Sequence, residues 1–269
     1  MDTMRPASPA VTLVNRGALL HAEGELGGAE RTYREALALD PENGSALSNL
    51  GFLLAGFGRH EEAIDLYRRA LAADPARGIA WGNLGMSQIA TGQVEAGLSA
   101  LGRSVRLEPT NRSAWEAMAR TLLVLGRLGE AETAFRQAAE LSPDDVNVLL
   151  ALAATVAARD RLAEAIALAR RAVVADPSSV RAWTELGTMC LVHDDYGSAA
   201  EALSRAFSIS PGDTSARYHM ALLQAVVGDK EQACELLQGV VAAGPDALFA
   251  PEASRLLEQL RAAVPADGA

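Results

Sequence analysis

Residues 44–77 read GSALSNLGFLLAGFGRHEEAIDLYRRALAADPAR, and residues 78–111 read GIAWGNLGMSQIATGQVEAGLSALGRSVRLEPTN. Laid one above the other, the two stretches share Asn49 with Asn83, Leu50 with Leu84, Gly51 with Gly85, Gly58 with Gly92 and Pro75 with Pro109. The proline carries the pattern along the chain: Pro41, Pro75, Pro109, Pro143, Pro177, Pro211 and Pro245 stand 34 residues apart. A fixed period of this length means one small unit copied and stacked.

With the proline as position 32 of each unit, the copies run from Ala10 to Ala247. Small residues recur at position 20 (Ala29, Ala63, Gly97, Ala131, Ala165, Ala199, Ala233) and at position 8 (Gly17, Gly51, Gly85, Ala119, Ala153, Gly187, Ala221). All three tryptophans, Trp81, Trp115 and Trp183, fall at position 4, and Tyr33, Tyr67 and Phe135 at position 24. Positions 4, 7, 8 and 11 share one helical face, as do 20, 24, 27 and 28, so each unit holds two amphipathic helices. Position 15 is Gly24, Gly58, Gly92, Gly126 and Gly228, a helix-ending glycine, with Asp160 and Asp194 in the other two copies with a turn there. The proline follows the second helix and cannot continue it.

This helix–turn–helix unit resembles the tetratricopeptide repeat, on Trp81 to Gly85 (W-G-N-L-G), Ala63 to Tyr67, and Asp74-Pro75. The resemblance implies an all-α, right-handed superhelical solenoid of seven repeats, with the first helix of each unit lining a concave groove. The expected organisation is a tail over 1–9, the repeats over 10–247, a capping helix over 248–264 and a tail over 265–269. The capping helix rests on the apolar pattern Leu256, Leu257, Leu260 and Val264, with Pro251 in its first turn. Units three (Gly97, Leu101, Ser104) and seven (Arg217, Val240) depart from the pattern, so looser packing is expected there.

Composition narrows the function. A net charge of −10 disfavours nonspecific nucleic-acid binding, which needs Lys and Arg to neutralise phosphates. No apolar run is long enough to span a bilayer, and residues 1–6, MDTMRP, lack the apolar stretch of a signal peptide. Two cysteines make no disulfide framework, so a reducing cytoplasm is expected. Lys230 is the single lysine against 23 arginines, which with abundant alanine suggests a GC-rich bacterial genome. No P-loop, nucleophile elbow or Cys-x-x-Cys occurs, and His60-Glu61 lacks the second histidine of a zinc helix because residue 64 is Ile. The expectation is therefore a protein without catalysis, cofactor or metal.

Charge is distributed unequally over the two helices. On the second helix, 21 of 42 outward sites (positions 18, 19, 22, 25, 26, 29) are charged; on the first, 4 of 42 (positions 2, 5, 6, 9, 12, 13). Packing between first helices accounts for part of this, and a groove that receives a partner for the rest. Position 6 is Asn15, Asn49 and Asn83 in the first three units. An asparagine amide offers both a donor and an acceptor and can pair with a peptide unit without reading its side chain. The row resembles the asparagine ladder in the repeat arm of O-GlcNAc transferase, with Ser45, Ser48, Phe52, Ile79 and Met86 around it. Further along, Arg120 and Arg181 suit a carboxylate or pair with Glu116 and Glu185, and Tyr218 and His219 complete the set.

The reading is a cytoplasmic protein-interaction scaffold that holds a peptide or partner protein in its groove, with self-association open. Two alternatives stand beside it. One is a substrate-recruiting or regulatory subunit of a separately encoded enzyme, such as a glycosyltransferase. The other is an enzyme with a site around Arg181, Tyr218 and His219.

Overall fold

The computed structural model describes residues 8–262, and every regular element among them is an α-helix. The chain packs as two compact bodies, Met1–Leu141 and Ser142–Ala269. The first holds four helix pairs: α1 (Pro9–Ala22) with α2 (Leu26–Leu39), α3 (Gly44–Gly56) with α4 (His60–Ala73), α5 (Gly78–Ala90) with α6 (Val94–Leu107), and α7 (Arg112–Val124) with α8 (Leu128–Leu141). The second holds α9 (Val146–Ala157) with α10 (Leu162–Ala175), α11 (Val180–Val192) with α12 (Tyr196–Ile209), and α13 (Thr214–Val227) with α14 (Lys230–Ala242). A last helix, α15 (Ala250–Ala262), packs on α14.

The turn inside each pair comes from position 15. All five glycines there are left-handed, with φ between 72° and 95°, and Asp160 (φ 60°) and Asp194 (φ 58°) adopt the same conformation. An L side chain in that region is strained, whereas glycine is not. Asp194 has local compensation, since the Tyr196 hydroxyl donates to its carboxylate at 2.7 Å. Asp160→Gly is therefore expected to stabilise the protein by about 0.5–1 kcal/mol, read from the midpoint of urea unfolding. A drop in that midpoint would mean that the turn depends on the Asp160 side chain.

The turn between pairs is built from position 34. Asn43, Asn111, Asp145, Ser179 and Asp213 each accept a hydrogen bond from the backbone N–H at position 3 of the next helix, which satisfies one of its orphan donors. The carbonyl of the preceding proline is also answered. Trp81, Trp115 and Trp183 donate their indole N–H to Pro75, Pro109 and Pro177 at 2.9–3.0 Å. Where position 4 is leucine, Arg69 and Arg171 reach back from position 26 to Pro41 and Pro143. Arg217 takes the tryptophan's place on Pro211. Six successive proline carbonyls thus have a side-chain donor, by two routes. Arg217 is a substitute for the tryptophan and not a sign of slack.

Position 8 sets how closely the two helices of a pair approach. A methyl group on Gly51 would lie 2.9 Å from the Tyr67 ring, and one on Gly17 would lie 2.6 Å from Tyr33. The glycine makes the slot that each tyrosine ring fills. Unit three, expected to be loose, is the reverse. Gly85 and Gly97 face one another so closely that a Cβ on either would sit 2.7 Å from the other's carbonyl oxygen. Residues that lack a side chain there allow backbones to meet.

In each body, consecutive first helices pack on one another (α1 on α3, α3 on α5, α5 on α7; α9 on α11, α11 on α13), and consecutive second helices make no comparable contact. The first helices therefore lie on the inside of each body's curve. The core runs between the layers, and one cluster alone links Ala29, Tyr33, Leu50, Tyr67, Leu84 and Ala100. The cap begins two residues later in the repeat frame than the first helices of the second to seventh pairs, and Phe249 just before it has φ 65°. It buries Ala253 and Leu257 against Leu237 and Val240. Of the capping segment expected over 248–264, residues 263 and 264 lie outside the described residues.

Candidate functional site

Asn15, Asn49 and Asn83 occupy the same frame position on α1, α3 and α5, the inner layer of the first body. Their surroundings differ. Asn15 is exposed, and Asn49 and Asn83 are half-buried. Burial pushes the Tyr33 phenol up, and the Asn49 side chain works against that rise. Asn83 instead lines a cavity beside Tyr67, the next tyrosine in the series.

Apolar surface flanks the asparagines. Phe52 is 54 % exposed and Ile79 61 %, both on this inner layer, and Met86 is half-buried. Ser45 is exposed and accepts a long hydrogen bond from Arg77 at 3.4 Å, while the Ser48 hydroxyl is buried without a partner. The backbone N–H of Ile79 donates to Glu108.

Between these residues lies a cavity of about 300 Å³, lined by His21, Leu26, Phe52, Leu53, Ala55, Gly56, Phe57, His60, Tyr67, Asn83, Met86 and Ser87. No Asp, Glu, Lys or Arg contributes to its wall. The rings of His21 and Phe52 are 5.8 Å apart at its rim. Two buried polar atoms of its lining residues, the Tyr67 hydroxyl and His60 Nδ1, have no hydrogen-bond partner. Desolvation holds the Tyr67 phenol far above its ordinary range, so it is a neutral donor at any working pH. Of this wall, Phe52, Asn83 and Met86 were expected from the sequence to meet a partner. The aromatic cluster His21, Phe52, Phe57 and Tyr67 scatters over positions 12, 9, 14 and 24 of two units, which no periodic reading brings together.

The remaining candidates are engaged within the chain. Arg120 lies 3.6 Å from Glu116, which Arg112 also meets at 3.0 Å. Arg181 donates to Glu185 at 2.7 Å and to Asn147 at 3.3 Å. In the last pair, the Phe249 ring stacks on Tyr218 (centroids 4.7 Å apart, planes 6° apart) and meets His219 edge-on at 5.2 Å. Burial lowers the His219 pKa, and its Nδ1 bonds the Ser215 carbonyl, so the imidazole is neutral and fixed. The chain's own connection to α15 covers the surface that Tyr218 and His219 would offer. Burial raises the Cys190 thiol, and Cys234 is half-buried. Among the described residues, no three His, Cys, Asp or Glu side chains are grouped to hold a metal ion, and no helix is long and apolar enough to cross a membrane.

Comparison with known proteins agrees with this architecture. The family model described as the cilia and flagella-associated protein 70 C-terminal domain, a TPR family, matches residues 4–208, and a tetratricopeptide repeat model matches residues 193–260. No curated protein matches the sequence. Among solved structures, one similar chain is the C-terminal part of a TPR repeat-containing protein from Cytophaga hutchinsonii. It is 11% identical, with a TM-score of 0.73 over 89% of this chain and 98% of that one. The Pseudomonas aeruginosa protein pilF is 19% identical, with a TM-score of 0.66 over 79% and 96% of the two chains. YrrB, a TPR protein with an unusual peptide-binding site, is 20% identical, with a TM-score of 0.61 over 68% and 95%. At these identities the likeness is one of fold.

Proposed function

We propose that this chain, which belongs to the tetratricopeptide repeat family, is a non-catalytic scaffold that holds an extended peptide segment of a partner protein along the inner layer of its first body. Tandem arrays of this kind are in general protein-interaction scaffolds. The observation that carries the finer reading is the row Asn15, Asn49 and Asn83 on consecutive inner helices, with exposed Phe52 and Ile79 beside it. An uncharged surface with repeated amide groups can satisfy a peptide backbone without requiring a particular sequence. The apolar residues contribute by burial, at about 25 cal/mol per Å². YrrB is a precedent in fold for a TPR array with a peptide-binding site.

A pull-down from native lysate, read by quantitative mass spectrometry, tests this. The baits are wild type and the Asn15/Asn49/Asn83→Ala variant, shown by circular dichroism to keep its helices. Each lost amide pairing is worth about 1 kcal/mol, so the specific partner is expected to bind at least about tenfold more weakly to the variant. A partner held equally by both would refute backbone recognition on this face. Capture of wild type by itself alone would point to self-association.

A further inference from the structure

The inner surface of the last helix pair is covered by the chain itself. We propose that this surface is a docking site for an aromatic side chain of a partner protein, and that Phe249 is a plug which holds it closed until such a side chain takes its place. The site lies in the second body and is independent of the asparagine row.

The occupant already seated shows what the surface accepts. The Phe249 ring lies flat on Tyr218, with centroids 4.7 Å and planes 6° apart, and meets His219 edge-on at 5.2 Å. The Tyr218 and His219 rings stand at 79° to one another, so they form a corner that fits one flat ring. An offset stack and an edge-on contact are the two arrangements that aromatic pairs prefer. The corner is uncharged. Its imidazole is neutral and fixed on the Ser215 carbonyl, and burial, with the nearby Glu252 carboxylate, keeps the Tyr218 phenol protonated. A neutral ring suits it, and an anionic side chain would meet Glu252.

The way the plug is held points to a removable part. The turns between earlier pairs contain no left-handed residue, whereas the connection over 243–249 contains two, Gly244 (φ 110°) and Phe249 (φ 65°). Glycine is at ease there, but for a residue as bulky as phenylalanine the conformation is strained. Strain of this kind gathers at clamps and switches, where it brings a closed state nearer in energy to an open one. The cap has its own core away from the ring. Ala253 and Leu257, with Leu256 and Leu260, pack against Leu237 and Val240, and the Ala253 N–H holds the Phe249 carbonyl at 2.8 Å. The ring is therefore free to swing off Tyr218 about its own side-chain bonds while α15 stays docked. Solvent backs the connection, since Pro245, Asp246 and Leu248 are exposed. With α15 seated on its own α14, exchange of the ring with a second copy would require the cap to undock, which makes a different molecule the source of the incoming ring.

N-acetyl-phenylalaninamide, titrated into ¹⁵N-labelled full-length protein by NMR, tests the proposal in wild type and Phe249→Gly. Glycine adopts φ 65° without strain, so the variant keeps the path of the chain and removes the ring. Saturable shifts are expected at the Tyr218 and His219 amides of the variant. The probe should bind the variant at least about tenfold more tightly than wild type, because a closed site reduces apparent affinity by the fraction of molecules that are open. Tyr218→Ala added to Phe249→Gly is expected to abolish those shifts. In wild type, relaxation dispersion at the same amides is expected to report the ring leaving and returning on the μs–ms timescale, and to vanish in Phe249→Gly. Equal affinity in the two proteins, or no saturable shift in the variant, would overturn the proposal. So would a wild type without exchange at these amides, in which the ring is a fixed part of the cap. A wild-type dimer by light scattering that Phe249→Gly abolishes would overturn it in favour of connections exchanged between two copies.

Discussion

Phe135→Ala is expected to lower the unfolding free energy by about 3–5 kcal/mol, the largest single effect in the chain. Phe135 is fully buried, at position 24 of the fourth unit, where Tyr33 and Tyr67 stand in the first two. Unlike those tyrosines it carries no hydroxyl, so no hydrogen bond is lost or freed, and the change reports packing alone. Truncation removes the transfer free energy of the ring and leaves a cavity that flanking helices fill only in part. The helix itself loses nothing, because alanine is the better helix former. Unit five has Ala169 at the same position, fully buried, which shows that alanine suits a pair built around it but not one built around a ring. In a stacked array each unit contacts only its neighbours, so the damage should be local. Hydrogen exchange is the decisive measurement: amides of α7 and α8 should lose protection first, and those of α13 and α14 should keep theirs until global unfolding. A uniform loss across the chain would mean that it unfolds as one cooperative unit.

What the sequence made legible is what recurs in phase. The 34-residue spacing placed every helix pair, and position 15 announced its turn so firmly that Asp160 and Asp194 adopt the glycine conformation. Less legible was anything solved in more than one way. The proline carbonyls receive a donor in six copies, but from tryptophan, from arginine at the same position or from arginine 22 positions further on, so no column of the repeat displays it. Reading Arg217 as a defect followed from judging one column alone. The site has the same character. The asparagine row is in phase and was seen, whereas the cavity behind Asn83 depends on side chains from different columns. Tyr218 and Phe249 are 31 residues apart, close to the repeat length but outside it, because the cap starts late. Periodicity gives no sign that the chain covers its own last inner surface.

Gly85→Ala is expected to destabilise by up to about 2 kcal/mol, against the ordinary trend for glycine in a helix. Two effects oppose one another. Replacing a mid-helix glycine by alanine gains about 1 kcal/mol through backbone entropy. The new methyl, however, would lie 2.7 Å from the Gly97 carbonyl oxygen and 3.0 Å from the Leu101 backbone nitrogen. Backbone atoms cannot rotate aside as a side-chain tip can, so α5 and α6 must separate, and overpacking of this kind costs about 1–3 kcal/mol. Gly102, on α6, is the control: a methyl there meets only the end of Arg106 at 3.5 Å, so Gly102→Ala should show the entropic gain alone, about 0.5–1 kcal/mol of added stability. Gly97→Ala meets the same contact from the other side, 2.7 Å from the Gly85 carbonyl, and also the Ile89 side chain at 2.5 Å. Because either substitution forces the same separation, the second should cost less once the first is present. The double variant is then expected to lose at least about 0.5 kcal/mol less than the sum of the two singles. Urea unfolding of the wild type and these four variants measures all of these terms. Strict additivity would mean that each methyl is absorbed locally, and a stabilised Gly85→Ala would mean that the two helices do not meet backbone to backbone at this point.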